Sequence, residues 1–108
     1  MNIGIDLIAI KKFQKLKAAD YKIWAHVFTR DEWAYAFRAH HARAAEHLAG
    51  MFAAKEAAMK ASRKTGITHF KTFEIEHTAQ GAPRLNKRGY RVSISHDHAY
   101  AIAVVLIG

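Results

Sequence analysis

A carboxylate inside an apolar run is the first chemically active feature of this 108-residue chain: Asp6 lies within Gly4-Ile5-Asp6-Leu7-Ile8. Its desolvation there must be offset by a cation, a hydrogen-bond donor or a metal. From position alone, a strand-end aspartate paired with a lysine and an aspartate in a metal or catalytic site are equally open. A second set lies in Phe52-Ala53-Ala54-Lys55-Glu56-Ala57-Ala58-Met59-Lys60-Ala61, where Phe52, Glu56 and Lys60 stand at i, i+4 and i+8 and share one helix face. A Glu-to-Lys pair at this spacing commonly just solvates a helix surface, worth about 0.2–0.5 kcal/mol. The surrounding alanines, however, leave room for a large anionic ligand to approach. The third set is Ser95-His96-Asp97-His98. Residues so close in sequence cannot form a Ser-His-Asp triad among themselves, because triad members meet from separate elements. His96 reads instead as a phosphate or carboxylate binder, or as a strand end in water. Eight histidines raise the question of zinc. His96 with His98, and His40/His41 with His47, are close enough to consider, yet no cysteine assists and no zinc-finger or His-Glu-x-x-His pattern is present. A structural zinc site is therefore rejected. Neither glycine-rich phosphate loop occurs, so a bound nucleotide would be held by basic side chains.

The elements that must position these residues follow from hydrophobic spacing. Ile3 to Ile10 reads as a first strand, buried on most of its length, followed by a short basic helix with Ile10, Phe13 and Leu16 at helical spacing. Thr29-Arg30-Asp31-Glu32 has the form of a capping box, opening a helix from about Arg30 to His40. The stretch from about Arg43 to Lys64 is an alanine-rich helix with Leu48, Phe52 and Met59 on its apolar face, stopped by Thr65-Gly66. The period then changes. Phe70, Phe73 and Ile75 begin a strand-rich half, Gln80-Gly81-Ala82-Pro83 reads as a turn, Val92-Ser93-Ile94-Ser95 alternates at period two, and Tyr100 to Ile107 is β-branched and apolar. This order predicts an α+β fold: one domain over residues 1–108, with a largely antiparallel sheet packed on a long central helix.

Composition fits a globular domain, with 51% apolar and 24% charged residues and no cysteine. No run reaches the roughly 18 apolar residues that span a bilayer, and the first residues do not read as a signal peptide. The expected location is the cytoplasm, with no membrane role. Seventeen Lys+Arg against nine Asp+Glu give a net charge of +8, which biases partners toward anions.

Taken together, Gly4-Ile5-Asp6-Leu7-Ile8, Phe28-Thr29-Arg30-Asp31-Glu32, the Phe52 to Ala61 helix, Gly81-Ala82-Pro83 and Val92-Ser93-Ile94-Ser95-His96 resemble the 4′-phosphopantetheinyl transferases. The similarity is to the small bacterial holo-acyl-carrier-protein synthase type, in the same order over nearly the whole chain. The resemblance implies Mg²⁺-dependent transfer of the phosphopantetheine arm of coenzyme A to a serine of an acidic acyl carrier protein, releasing adenosine 3′,5′-bisphosphate. It implies Asp6 and Glu56 as the metal ligands, Glu56 also as a base toward the serine, and Lys60 as a charge against the phosphates. Lys12, Arg43, Phe52, Lys60, Pro83 and His96 would hold the coenzyme, with Arg43 at its 3′-phosphate and Pro83 at its adenine. It further implies a homotrimer with active sites at subunit interfaces, Asp6 being donated to the site that holds Glu56 of a neighbour.

The sequence departs from the family pattern in three places. Met51 follows Gly50 where an arginine is usual, Ala9 stands where a glutamate is common, and only a short turn separates Pro83 from Val92. These leave a second reading, a non-catalytic relative that still binds coenzyme A or a carrier protein. A third and weaker one is a basic nucleic-acid-binding module built on Lys11, Lys12, Lys15, Lys17 and Lys22 with Tyr21 and Trp24.

Overall fold

The computed structural model describes residues 1–38, 41–64, 66 and 69–108. Strand β1 (Asn2–Ala9) leads through a 3-10 turn (Ile10–Phe13) and a second one (Ala18–Asp20) to the short helices α1 (Tyr21–Trp24) and α2 (Arg30–Phe37). The long helix α3 (His41–Ser62) follows, then β2 (Ile75–His77), β3 (Pro83–Leu85), β4 (Tyr90–His96) and β5 (Tyr100–Ile107). The expected α+β architecture is present. Its sheet is split into an antiparallel three-stranded unit ordered β1-β5-β4 and a β2-β3 hairpin. Among the described residues no helix is long and apolar enough to cross a membrane.

Helix α3 is the core's axis. Ala53, Ala54, Ala57, Ala58 and Ala61 are all buried, and their small side chains let the sheet lie close against it. The approach is tightest at β1, where a Cβ added to Gly4 would stand 2.0 Å from the Ala57 carbonyl oxygen and 2.8 Å from the Ala61 nitrogen. On the sheet's inner face Gly4 pairs with Val105, Asp6 with Ala103 and Ile8 with Ala101; strand periodicity sends their neighbours outward. Strand β1 is thus not buried on most of its length: Ile3, Ile5 and Leu7 are 65%, 55% and 58% exposed. Tyr100 and Ile102 of β5 are exposed beside them, so the outer sheet face is apolar.

Other boundaries differ for physical reasons. Only Ile10–Phe13 is helical after β1, and Leu16 lies beyond it. The capping box at Thr29 forms as expected, Glu32 N donating to Thr29 Oγ1 and Thr29 N to Glu32 Oε1, but α2 ends at Phe37; the expected terminus at His40 lies outside the described residues. Helix α3 stops at Ser62 rather than Lys64, with Arg63 at a φ of 60°. The amides of Arg63 and Lys64 donate back to Lys60 and Met59, the double-bonded closure that usually employs glycine. Of the expected stop, Gly66 lies three residues further on and Thr65 is outside the described residues. Phe70 and Phe73 precede β2 in turns.

Replacing Gly4 with alanine should destabilise the fold by about 3 kcal/mol or more, because its Cβ meets helix backbone that cannot move aside. Gly50→Ala should stay within about 1 kcal/mol of wild type: its Cβ meets only the Ile94 side chain, at 3.0 Å, and alanine gains helix propensity. Urea unfolding of the two variants checks both.

Candidate functional site

Asp6 points inward from β1 onto the last turns of α3. Its Oδ1 accepts from Lys60 Nζ at 2.9 Å, and the same ammonium donates to the Ile5 carbonyl at 3.0 Å. Its Oδ2 is buried and has no hydrogen-bond partner among the described residues. One turn before Lys60, Glu56 is half-buried. Burial first, and then the charge of Asp6, raise its carboxyl above the ordinary value, against the lowering influence of Lys60 and Lys12. Lys12, from the turn after β1, stands over the Phe52 ring at 4.7 Å from its centroid, a cation-π contact that tethers the ammonium beside the carboxylates.

The expected gathering of Asp6, Glu56, Lys60, Lys12 and Phe52 is therefore present within one chain. Asp6 meets Lys60 and lies near Glu56 of its own chain, because β1 lies directly on α3. The donor set fits a divalent hard cation. The two carboxylates are near enough for the charge of Asp6 to raise Glu56, one Asp6 oxygen has no hydrogen-bond partner among the described residues, and hard oxygen ligands of this kind are what Mg²⁺ takes, with phosphate or water oxygens completing its shell. Among the described residues no group of three His, Asp or Glu side chains could hold a metal.

A second locus lies further back along the helix, Gly50 preceding Glu56 by about 9 Å of helix rise. There a hollow of about 170 Å³ is lined by Tyr35, His47, Met51, Pro83, Ile94 and His96 among others. Pro83 and His96 thus come together as expected. Arg43 is largely exposed and reaches the locus only through Glu46, whose carboxylate is 3.9 Å from Arg43 and 3.8 Å from His96. Asp97 takes no part: its Oδ1 accepts from the amides of Ala99 and Tyr100 at 2.7 Å each, which closes the turn into β5 and holds its carboxyl below the usual range.

Two features were missed by sequence reasoning. The first is a buried ion pair, Lys55 Nζ to Glu32 Oε2 at 2.8 Å, with both side chains wholly inaccessible. Burial pulls the lysine down and Glu32 opposes it. Lys55 also donates to the Phe70 and Phe73 carbonyls at 2.9 Å each, which is why that segment turns instead of pairing as a strand. The same Glu32 oxygen accepts from Ile75 N at 2.7 Å, seating the start of β2. The signal was a lysine on a helix face otherwise made of Met51, Phe52, Ala58 and Met59. The second is an aromatic wall in which the rings of Tyr35 and His77 stack 3.7 Å apart and 7° from parallel, with His47 edge-on to Tyr35. Nothing in the spacing of positions 35, 47 and 77 announces it.

The sequence model of the 4′-phosphopantetheinyl transferase superfamily matches residues 2–105. The chain is 34% identical to a holo-[acyl-carrier-protein] synthase of Thermodesulfovibrio yellowstonii, over 97% of this chain and 96% of that one. It is 36% identical to one of Geobacillus sp., over 99% and 95%. Among solved structures it resembles the holo-(acyl-carrier-protein) synthase of Bacillus anthracis in complex with CoA (3′,5′-ADP), with a TM-score of 0.77 and 30% identity, covering 96% of this chain and 92% of that one. It also resembles the Helicobacter pylori enzyme in complex with coenzyme A, with a TM-score of 0.79 and 26% identity over 98% and 99%.

Burial first, then the charges of His47 and Arg38, depress His77 to about 4, below the ordinary value near 6.5. The folded state therefore binds fewer protons than the unfolded state between those values. Stability should be full above about pH 6.5 and fall as pH drops toward 4, with a slope of up to about 1.4 kcal/mol per pH unit for one proton. Denaturation at a series of pH values should show this slope in wild type and a shallower one in His77→Phe; His47, depressed in the same direction, keeps the remainder.

Proposed function

The chain belongs to the 4′-phosphopantetheinyl transferase superfamily, among the holo-[acyl-carrier-protein] synthases, and from that membership we propose that residues 1–108 act as one catalytic domain. It moves the 4′-phosphopantetheine arm of coenzyme A onto a serine of an apo acyl carrier protein, in the cytoplasm. The observation that carries this reading is the meeting of Asp6, Glu56 and Lys60 within one chain, with an orphaned oxygen on Asp6. A purely structural role would leave no such oxygen and would not set two carboxylates together.

The serine hydroxyl oxygen attacks the phosphorus that bears the pantetheine oxygen. The bond from that phosphorus to the bridging oxygen breaks, and adenosine 3′,5′-bisphosphate leaves with the electron pair. Glu56, raised above an ordinary carboxylate, is a better proton acceptor for it and takes the serine proton, directly or through one water. Asp6 and Glu56 would hold a Mg²⁺ that offsets the charge building on the leaving phosphate. Lys60 and Lys12 bring fixed positive charge to the same oxygens. The hollow by Pro83 and His96 receives the nucleoside end, and Arg43 at its rim faces the 3′-phosphate. Exposed Lys11, Lys15, Lys17 and Lys22, continuous with Lys12, suit an acidic carrier protein that is steered by charge.

A homotrimer accounts for the apolar outer face. Contiguous exposed apolar area marks a contact site, and the face of Ile3, Ile5, Leu7 and Ile102 is such an area. His96 lines the hollow beside Pro83 and also a hollow on this outer face with Leu7, Tyr100 and Ile102. A second copy seated there would complete the coenzyme end of the site.

Mass spectrometry of an apo carrier protein incubated with the enzyme, coenzyme A and Mg²⁺ should show the gain of one phosphopantetheine arm. Asp6→Ala and Glu56→Ala should each slow it at least about a hundredfold; unchanged rates in both would remove the assignment. Leu7→Lys, by placing a charge in the outer face, should convert the trimer to monomers in light scattering while leaving the circular dichroism spectrum of the fold intact.

A further inference from the structure

Lys60 is half exposed, at the end of α3, yet its ammonium turns back to the strand and is spent on Asp6 Oδ1 and the Ile5 carbonyl. Asp6 is only 12% exposed, so its carboxylate cannot draw its neutralisation from water. Of the two cations beside the carboxylates, Lys12 is held over Phe52 and Lys60 alone makes a direct ion pair with Asp6. One oxygen of Asp6 is therefore supplied with a cation and the other is left with none.

Resting on the divalent-cation reading of Asp6 and Glu56 given above, we propose that Lys60 is the resting counter-ion of that site: it occupies Asp6 until a divalent ion and an anionic co-substrate take its two roles apart. A divalent ion bound to Asp6 would have the ammonium as an immediate neighbour, and like charges at this separation in a half-buried setting repel appreciably. Lys60 has the means to leave. Its stem is long, it is exposed along half its surface, and the bonds it gives up are one carbonyl contact and one half of a carboxylate. Its destination is a phosphate, which a coenzyme supplies and the metal alone does not. The residue is thus inhibitory toward metal binding in the free protein and favourable toward phosphate in the loaded one.

The test is Mn²⁺ binding to the coenzyme-free full chain, followed by electron paramagnetic resonance of the free ion, with Mg²⁺ as competitor. Lys60→Met should bind Mn²⁺ about three- to tenfold more tightly than wild type, and Lys60→Gln should behave likewise. Lys60→Arg, which keeps the charge, should bind Mn²⁺ as wild type does. Transfer to the carrier protein should move the other way and slow in Lys60→Met, a divergence that loss of a merely structural contact would not produce. If Asp6→Asn abolishes Mn²⁺ binding while Lys60→Met and Lys60→Gln bind it no more tightly than wild type, the inference is overturned and the metal site stands. If no variant binds Mn²⁺ saturably, or if Asp6→Asn and Glu56→Gln leave its binding unchanged, the divalent site itself is wrong and the inference falls with it.

Discussion

The carboxylate end of the site depends on how closely β1 lies on α3. A strand carrying side chains at every inward position would stand off the helix by the width of a methyl group or more. Gly4 removes that spacer against Ala57 and Ala61, and two residues on, Asp6 is brought within 2.9 Å of Lys60. Lys60 can reach both Asp6 and the Ile5 carbonyl because the backbone it docks on is close; at a wider separation it would find water first. The small residues opposite, Ala101 and Ala103 on β5, extend the same closeness across the sheet. Alanine in α3 is therefore less a matter of helix propensity than of spacing.

The other fixed point is internal. Three charged residues of one helical stretch meet three environments: Lys55 wholly buried, Glu56 half-buried, Lys60 half-exposed. Lys55 and Glu32 join α3 to α2, to the turns at Phe70 and Phe73, and to the start of β2 through a handful of bonds. A buried pair of this kind adds little net stability compared with an apolar pair, but removing either partner strands a charge at a cost of about 3–5 kcal/mol. Its effect is positional. It sets the rotation of α3 that turns Glu56 toward Asp6, and it seats the loop whose Phe70 ring stacks on Phe52.

Much of this was legible in the sequence because it is local or periodic. The limits Tyr100–Ile107 of β5, the capping box at Thr29 and the shared face of Phe52, Glu56 and Lys60 all follow from spacing along one element. What was not legible is long-range. Lys55 and Glu32 are joined through space, and each has a local reading that conceals the other: a helix lysine beside a glutamate, and a glutamate in a capping box. The capping box does form, and one Glu32 oxygen serves it while the other serves Lys55 and Ile75. Phe70 and Phe73 read as strand because their side chains are apolar, and are not strand because a buried ammonium takes their carbonyls. That Asp6 lies beside Glu56 of the same chain is likewise a matter of packing, decided at Gly4 and invisible in the motif that carries Asp6.

The charge of +8 also means something narrower than its size suggests. At both ends of the site the groups that would greet an anion already have partners: Lys60 has Asp6, and Arg43 and His96 share Glu46. Met51, where an additional positive charge is usual in the family, is buried and lines the hollow with carbon. An anionic ligand therefore gains only the difference between its own contacts and those it displaces, and at this hollow the apolar and aromatic lining would have to supply the rest. Exposed lysines lie instead on the segment from Lys11 to Lys22, where an acidic partner steered by charge would first meet them. In this molecule the net charge is concentrated on an open segment, while at the site the charges are paired internally, Lys60 with Asp6 and Arg43 with Glu46.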